Sequence, residues 1–306
     1  MVTLLQWGIF HLIIAGMLAI DLGLFQRKAH APSLKEAAGW SVTWITAAAI
    51  FGLYVHFGFG NASSVDFATA YVIEKSLSVD NLFVFAVIFR YFHVEFQYQH
   101  KVLFWGILGA IITRGTFILA GVTLVETFNW MLYIFGAILV YSGISLARHH
   151  GEPRDPDKGL VVRLARRFLP MTTSFQEGKF FGKNEGKTVV TPLFLTLLAI
   201  EATDIAFAID SVPAVLVITT DLFIVYTSNI FAILGLRALY FLLIGALLRL
   251  RYLYIGLAVL LTYLGAKVFV SSLVKIPTPT SLLVVAAILS VAVIASILKT
   301  AKKPQA

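Results

Sequence analysis

Apolar residues run along this chain in long blocks, each closed by a short polar cluster. A helix needs roughly 20 apolar residues to cross the hydrocarbon core of a bilayer. Nine blocks meet or approach that length, at about 4–25, 38–59, 67–90, 102–125, 130–147, 191–219, 222–248, 252–272 and 280–298. They do not alternate strictly between polar and apolar, as the shorter strands of a membrane barrel would. The pattern predicts an all-α polytopic membrane protein with about nine transmembrane helices. No basic residue precedes the first block, and Arg27 and Lys28 follow it, so it reads as a first span and not as a cleaved signal peptide.

The polar clusters alternate in charge. Arg27, Lys28 and Lys35 follow the first block, and Arg90 and Lys101 flank the loop after the third. A long basic segment fills 148–190, Arg249 and Arg251 follow the seventh block, and Lys299, Lys302 and Lys303 lie in the tail. The intervening clusters, at 61–66, 127–129, 220–221 and 274–280, hold one lysine, Lys275. Basic residues stay with the cytoplasmic side. The expected location is therefore a bacterial-type inner (plasma) membrane, with the N-terminus outside and the C-terminus in the cytoplasm. Within 148–190, the stretch 160–169 is a basic amphipathic segment that either lies on the anionic inner leaflet or forms a solvated linker. His149 and His150 read as ordinary loop residues, since no other ligands cluster with them.

A weak internal correspondence organises the blocks. EKSLSVDN at 74–81 aligns with DIAFAIDS at 204–211. Arg114 and Phe117 align with Arg237 and Tyr240, and Tyr133 and Gly143 with Tyr254 and Gly265. Blocks 3–5 and 6–8 thus read as two copies of a three-helix unit. An odd number of spans per copy turns one copy upside down, the inverted-repeat plan of many secondary transporters. The expected divisions are two N-terminal helices (1–65), a first repeat (66–147), a basic cytoplasmic loop (148–190), a second inverted repeat (191–272), and a last helix with a basic tail (273–306).

Composition agrees with this plan. Of 306 residues, 59% are hydrophobic and 13% charged; a soluble domain carries about 25% charged residues. The formal charge is +8, but the basic residues sit between apolar blocks, so they serve topology and predict no nucleic-acid partner. With no Cys there are no disulfides and no thiolate chemistry.

Against this background the acids stand out. Glu74 and Asp80 fall in the third block, and Glu201, Asp204 and Asp210 in the sixth. An ionisable group at the bilayer centre costs at least about 2.5–3.5 kcal/mol. Five carboxylates therefore need compensation, from Arg114, Arg237, Lys75 or Lys267, from protonation, or from a bound cation. Glu201 and Asp204 share a helix face, whereas Asp204 and Asp210 lie about 9 Å apart along the axis and about 120° around it. Imposing the two-fold makes Asp80 and Asp210 central mates, with Glu74 toward the outside and Asp204 and Glu201 toward the cytoplasm. Pro213 cannot donate to the carbonyl of Ile209, which leaves that oxygen free beside Asp210. Asn81 and Ser211 add neutral oxygens. Asn229, with Thr227 and Ser228, either adds another or simply caps its helix. An all-oxygen set suits Mn(II), Ca(II) or Mg(II) better than softer metals. The competing reading is that the acids only form buried salt bridges with Arg114 and Arg237, yet two arginines cannot neutralise five acids. On the transport reading, the arginines pair with acids while the ion is absent and hold the site together.

EKSLSVDN at 74–81, EATDIAFAIDSVP at 201–213 and TSNIFAILGLR at 227–237 resemble the signatures of the TerC family of integral membrane proteins, and within it the Alx-type manganese exporters. The resemblance implies manganese efflux, membership of the LysE-like transporter superfamily, and acidic site roles for Glu74, Asp80, Glu201, Asp204 and Asp210. The expected function is secondary transport of a divalent cation outward, Mn(II) ahead of Ca(II) and Mg(II), in exchange for protons, without enzymatic activity or a prosthetic group. The alternative is a membrane scaffold or metallation partner that moves no ion itself. An intramembrane aspartyl protease is disfavoured because the chain lacks a Gly-x-Gly-Asp motif, and an amino-acid exporter because core carboxylates outnumber basic groups. Oligomeric state is not legible.

Overall fold

The structure, a computed structural model, describes residues 2–25, 33–149, 160–172, 178–184, 187–244, 252–270 and 276–301. Eleven helices and one small hairpin follow in chain order: α1 (Leu4–Phe25), α2 (Leu34–Phe59), α3 (Asn61–Tyr91), α4 (Phe96–Thr127), α5 (Met131–His149), α6 (Leu160–Phe168), β1 (Phe181–Asn184), β2 (Lys187–Val190), α7 (Pro192–Leu216), α8 (Leu222–Leu234), α9 (Leu236–Leu243), α10 (Leu253–Val270) and α11 (Thr278–Ala301). Among the described residues six helical stretches are long and apolar enough to cross a membrane: Leu34–Phe59, Phe96–Thr127, Met131–Arg148, Pro192–Leu216, Leu222–Leu243 and Thr278–Ser296. Shorter apolar stretches occupy Leu4–Ile20 and Tyr254–Val270. The protein is an all-α polytopic membrane protein.

Local chemistry marks the helix ends. Ser33 and Glu36 form a reciprocal capping box at the start of α2. Asp221 caps α8 by accepting from the amides of Phe223 and Ile224 at 2.9 and 3.1 Å. Pro192 opens α7, where a missing N–H costs nothing.

Two elements depart from the hydrophobic pattern. The apolar block expected as one span over 222–248 is two helices, α8 and α9, divided at Gly235. The third block begins earlier than its apolar run suggests, because α3 starts at Asn61 and extends to Tyr91. It carries Asp66, Glu74, Lys75, Asp80 and Arg90, and this charge keeps it out of the apolar class.

Helix directions follow from contacts. A Cβ added to Gly106 of α4 would meet Ile200, and one added to Gly121 would meet Val212 and Leu216, so α4 and α7 run in the same direction. Lys75 meets Ala232 and Phe89 meets Tyr240, so α3 runs with α8 and α9. By contrast, α5 and α10 are antiparallel and touch backbone to backbone. A Cβ on Gly265 would stand 2.5 Å from the Gly136 oxygen and 2.9 Å from the Val140 nitrogen. An aromatic core of Phe10, Phe51, Phe67, Phe223 and Phe231 joins α1, α2, α3 and α8.

The basic loop contains structure. Val162 and Ala165 of α6 are buried, and α6 packs on α7. The strands β1 and β2 pair antiparallel, from Phe181 with Val190 to Asn184 with Lys187. Arg27, Lys28, His150, Arg249, Arg251, Lys275, Lys302 and Lys303 lie outside the described residues.

Candidate functional site

The middle of α3 packs against α7 and α8, and α4 packs against both of those. Arg114 of α4 is fully buried where these helices meet. Its Nε and Nη2 donate to the two oxygens of Asp204 on α7, at 3.3 and 2.9 Å, a bidentate grip. Nη1 donates to Ser211 Oγ at 2.8 Å and to Glu74 Oε1 on α3. One guanidinium therefore ties together two acids from the two helices that carry the aligned motifs. Glu74 is fully buried, and its second oxygen, Oε2, has no hydrogen-bond partner among the described residues. Two carboxylates around one guanidinium carry a formal surplus of one negative charge in a site closed to water, which a proton or a further cation would offset.

The remaining acids lie around this centre. Glu201 lies one turn from Asp204 on the same side of α7, against α4, where a Cβ on Gly109 would fall within its carboxylate. The glycine is what admits it. Asp210 turns to α5, where Ser142 Oγ donates to its Oδ1 at 2.6 Å. Asp204 and Asp210 thus reach different neighbours, as their six-residue separation requires. Asp80 lies in α3, but its side chain is outside the described ones. Asn81 and Ser211 are buried. The Ile209 side chain is exposed, with Pro213 inside the same helix four residues on.

On α8 the three polar candidates separate. Thr227 donates to the Phe223 carbonyl at 2.7 Å and Ser228 to that of Val225 at 3.0 Å, so both hydroxyl protons are used within the helix. Asn229 is fully buried, and neither its oxygen nor its nitrogen has a hydrogen-bond partner among the described residues. It sits between Tyr226, which packs on Gly115 beside Arg114, and Ala232, whose carbonyl accepts from Lys75 Nζ at 3.1 Å. Asn229 therefore lies at the level of the Arg114 centre. Arg237 is buried on α9 and Lys267 on α10.

Among the described residues no three Asp, Glu or His side chains stand close enough to share an ion. The arginine holds the space between Glu74 and Asp204. Two contributors were not legible in sequence: Ser142, whose only signal was its place beside the aligned Gly143, and Gly109, which gave none.

Comparison with known proteins gives a consistent picture. The family model described as "Integral membrane protein TerC family" matches residues 59–305. A Myxococcus xanthus protein, the uncharacterised membrane protein STKORF319, is 46% identical over 298 residues, covering 97% of this chain and 93% of its own. The Escherichia coli (strain K12) protein Alx, which its name proposes as a membrane-bound redox modulator, is 45% identical over 296 residues, covering 94% and 92%. A membrane protein of Rickettsia bellii is 39% identical over 285 residues, covering 93% and 94%. No solved structure matches.

Proposed function

From the premise that this chain belongs to the TerC family of integral membrane proteins, we propose that it is a secondary transporter that exports a divalent metal cation, with Mn(II) the best match to its all-oxygen ligand set. The observation that carries this reading is the convergence of Glu74 and Asp204, from the two aligned motifs, on the single guanidinium of Arg114. Arg114 acts there as the resident counter-cation of the ion-free state. A divalent ion that recruits Glu74, Asp204 and the neighbouring acids replaces it, and the guanidinium withdraws. Asp80, Asp210 and Glu201 complete the acidic route, and Asn229 and Ser211 add neutral donors. Hard oxygen ligands in this number suit Mn(II), with Ca(II) and Mg(II) as competitors.

The architecture proposed with it is nine spans and an inverted three-plus-three repeat, with the N-terminus outside. The shared direction of α4 and α7 and the opposed directions of α5 and α10 support it, since both are what inversion of one unit produces. Transport then proceeds by alternating access around a fixed central site, with protons as the exchanged ion. The redox role in the name of the Escherichia coli relative cannot rest here on thiols, because this chain has no Cys. Control of a redox-active metal is one way to reconcile the two.

The test is Mn(II) flux into proteoliposomes. Asp80→Asn and Asp210→Asn are each expected to lower the initial rate at least tenfold with the protein still folded. Flux unchanged in both variants removes the site assignment. Absence of any metal flux from well-folded wild type favours the scaffold alternative.

A further inference from the structure

Two departures from the internal correspondence meet at one contact. The alignment that pairs Glu74 with Asp204 and Arg114 with Arg237 also pairs Lys75 with Ile205 and Gly235 with Ile112. Ile205 is an exposed apolar residue on α7, and Ile112 is an exposed residue within the uninterrupted α4. In the other half of each pair the apolar residue gives way to a lysine on α3 and to a helix break at Gly235. These two replacements touch. Lys75 Nζ donates to the carbonyl of Ala232 at 3.1 Å.

The chemistry of the contact is that of a cation site. Ala232 belongs to the last turn of α8, whose final carbonyls find no partner inside the helix and carry the negative end of its dipole. Broken helices that end inside a membrane present such carbonyls to cations. Gly235 provides the space, because a Cβ there would stand 2.5 Å from Lys75 Nζ and 3.3 Å from Trp44 Cβ. We propose that the α8–α9 break is a site for a small monovalent cation, permanently filled by the ammonium group of Lys75. A covalently tethered cation cannot dissociate, so no free alkali ion is needed at this point in any state of the protein. The inference rests on the contact and on the sequence correspondence, and stands whether or not the chain moves manganese.

The test needs no transport measurement. The full-length purified protein, its Lys75→Ala variant and its Lys75→Met variant are melted in chloride salts of choline, sodium, potassium and methylammonium at constant ionic strength. Wild type is expected to show one midpoint in all four salts. Lys75→Ala should melt lower in choline and recover by about 4 °C or more, saturably, in methylammonium or sodium. Lys75→Met, which refills the space with an apolar chain, should stay low in every salt. A Lys75→Ala midpoint that is the same in choline as in the small cations overturns the proposal, because a purely structural lysine would not be replaced by a free ion. Should Lys75→Ala yield no folded protein in choline, Lys75→Ser is carried through the same series. Recovery of folded protein only with small cations supports the site, and failure in every salt overturns it.

Discussion

A buried arginine held by two acids makes an unusual demand on its neighbours, because each of the three charges is tolerable only while the others remain. Removing one partner of a buried ionic group leaves the rest uncompensated and costs about 3–5 kcal/mol, whereas replacing all members with neutral groups of similar volume is close to neutral. Arg114→Met is therefore expected to destabilise the protein by about 3–5 kcal/mol, and the triple variant Glu74→Gln, Arg114→Met, Asp204→Asn to recover most of that loss. Unfolding in detergent measures both. A triple variant as unstable as the single one would show that the three groups do not act as a unit. At this scale the sequence singled out the charges that are costly to bury and raised their pairing with arginine, but not which acids Arg114 holds. Glu74, Asp204 and Arg114 stood out because a charge in an apolar block is costly. Ser142 did not, since a serine in a membrane helix normally bonds to its own backbone. Its partnership with Asp210 depends on the rotation of α5 against α7, which a linear pattern does not contain.

At the scale of single elements, the apolar runs located the helices but not their starts, since α2 begins at Leu34 and α3 at Asn61, ahead of the runs at 38 and 67. The capping box at Ser33 and Glu36 is a local signature of four residues. Ser33→Ala is expected to cost about 1 kcal/mol, measured as a lowered midpoint, while Ser33→Asp should be nearly silent. The break at Gly235 was not foreseen because the residues around it are apolar on both sides, and glycine is common in membrane helices. At the division between α8 and α9, a lysine from another helix occupies the place where a side chain would have been, a tertiary contact that a linear pattern does not contain. The charged α3 shows the opposite case. Its polarity weakens the hydropathy signal of a span, yet that same polarity is what ties α3 to α4, through Glu74 and Arg114.

For the molecule as a whole, the alternation of basic clusters led to an orientation that can be checked directly. The chain contains no cysteine, so single cysteines can be introduced without first removing native ones. With the N-terminus outside and basic loops inside, a cysteine at Ser63 is expected to react with an impermeant maleimide added to whole cells. A cysteine at Lys183 in the β1–β2 hairpin should react only after the membrane is opened. The reverse pattern would invert the proposed topology and exchange the two faces of the acidic route. The class of the fold is plain, with six helical stretches among the described residues long and apolar enough to cross a membrane, while the count of nine stays with the proposal.

The backbone contact between α5 and α10 bears on how such a molecule could move. Where Gly136 meets Gly265 the two backbones touch, and the side chains of Val140, Val268 and Phe269 close around the contact. The pair behaves as one stiff beam, although one helix comes from each half of the chain. On the proposed repeat, tilting of the halves would turn about this beam, as a seesaw turns on its fulcrum, with the widest excursions on the helices farthest from it.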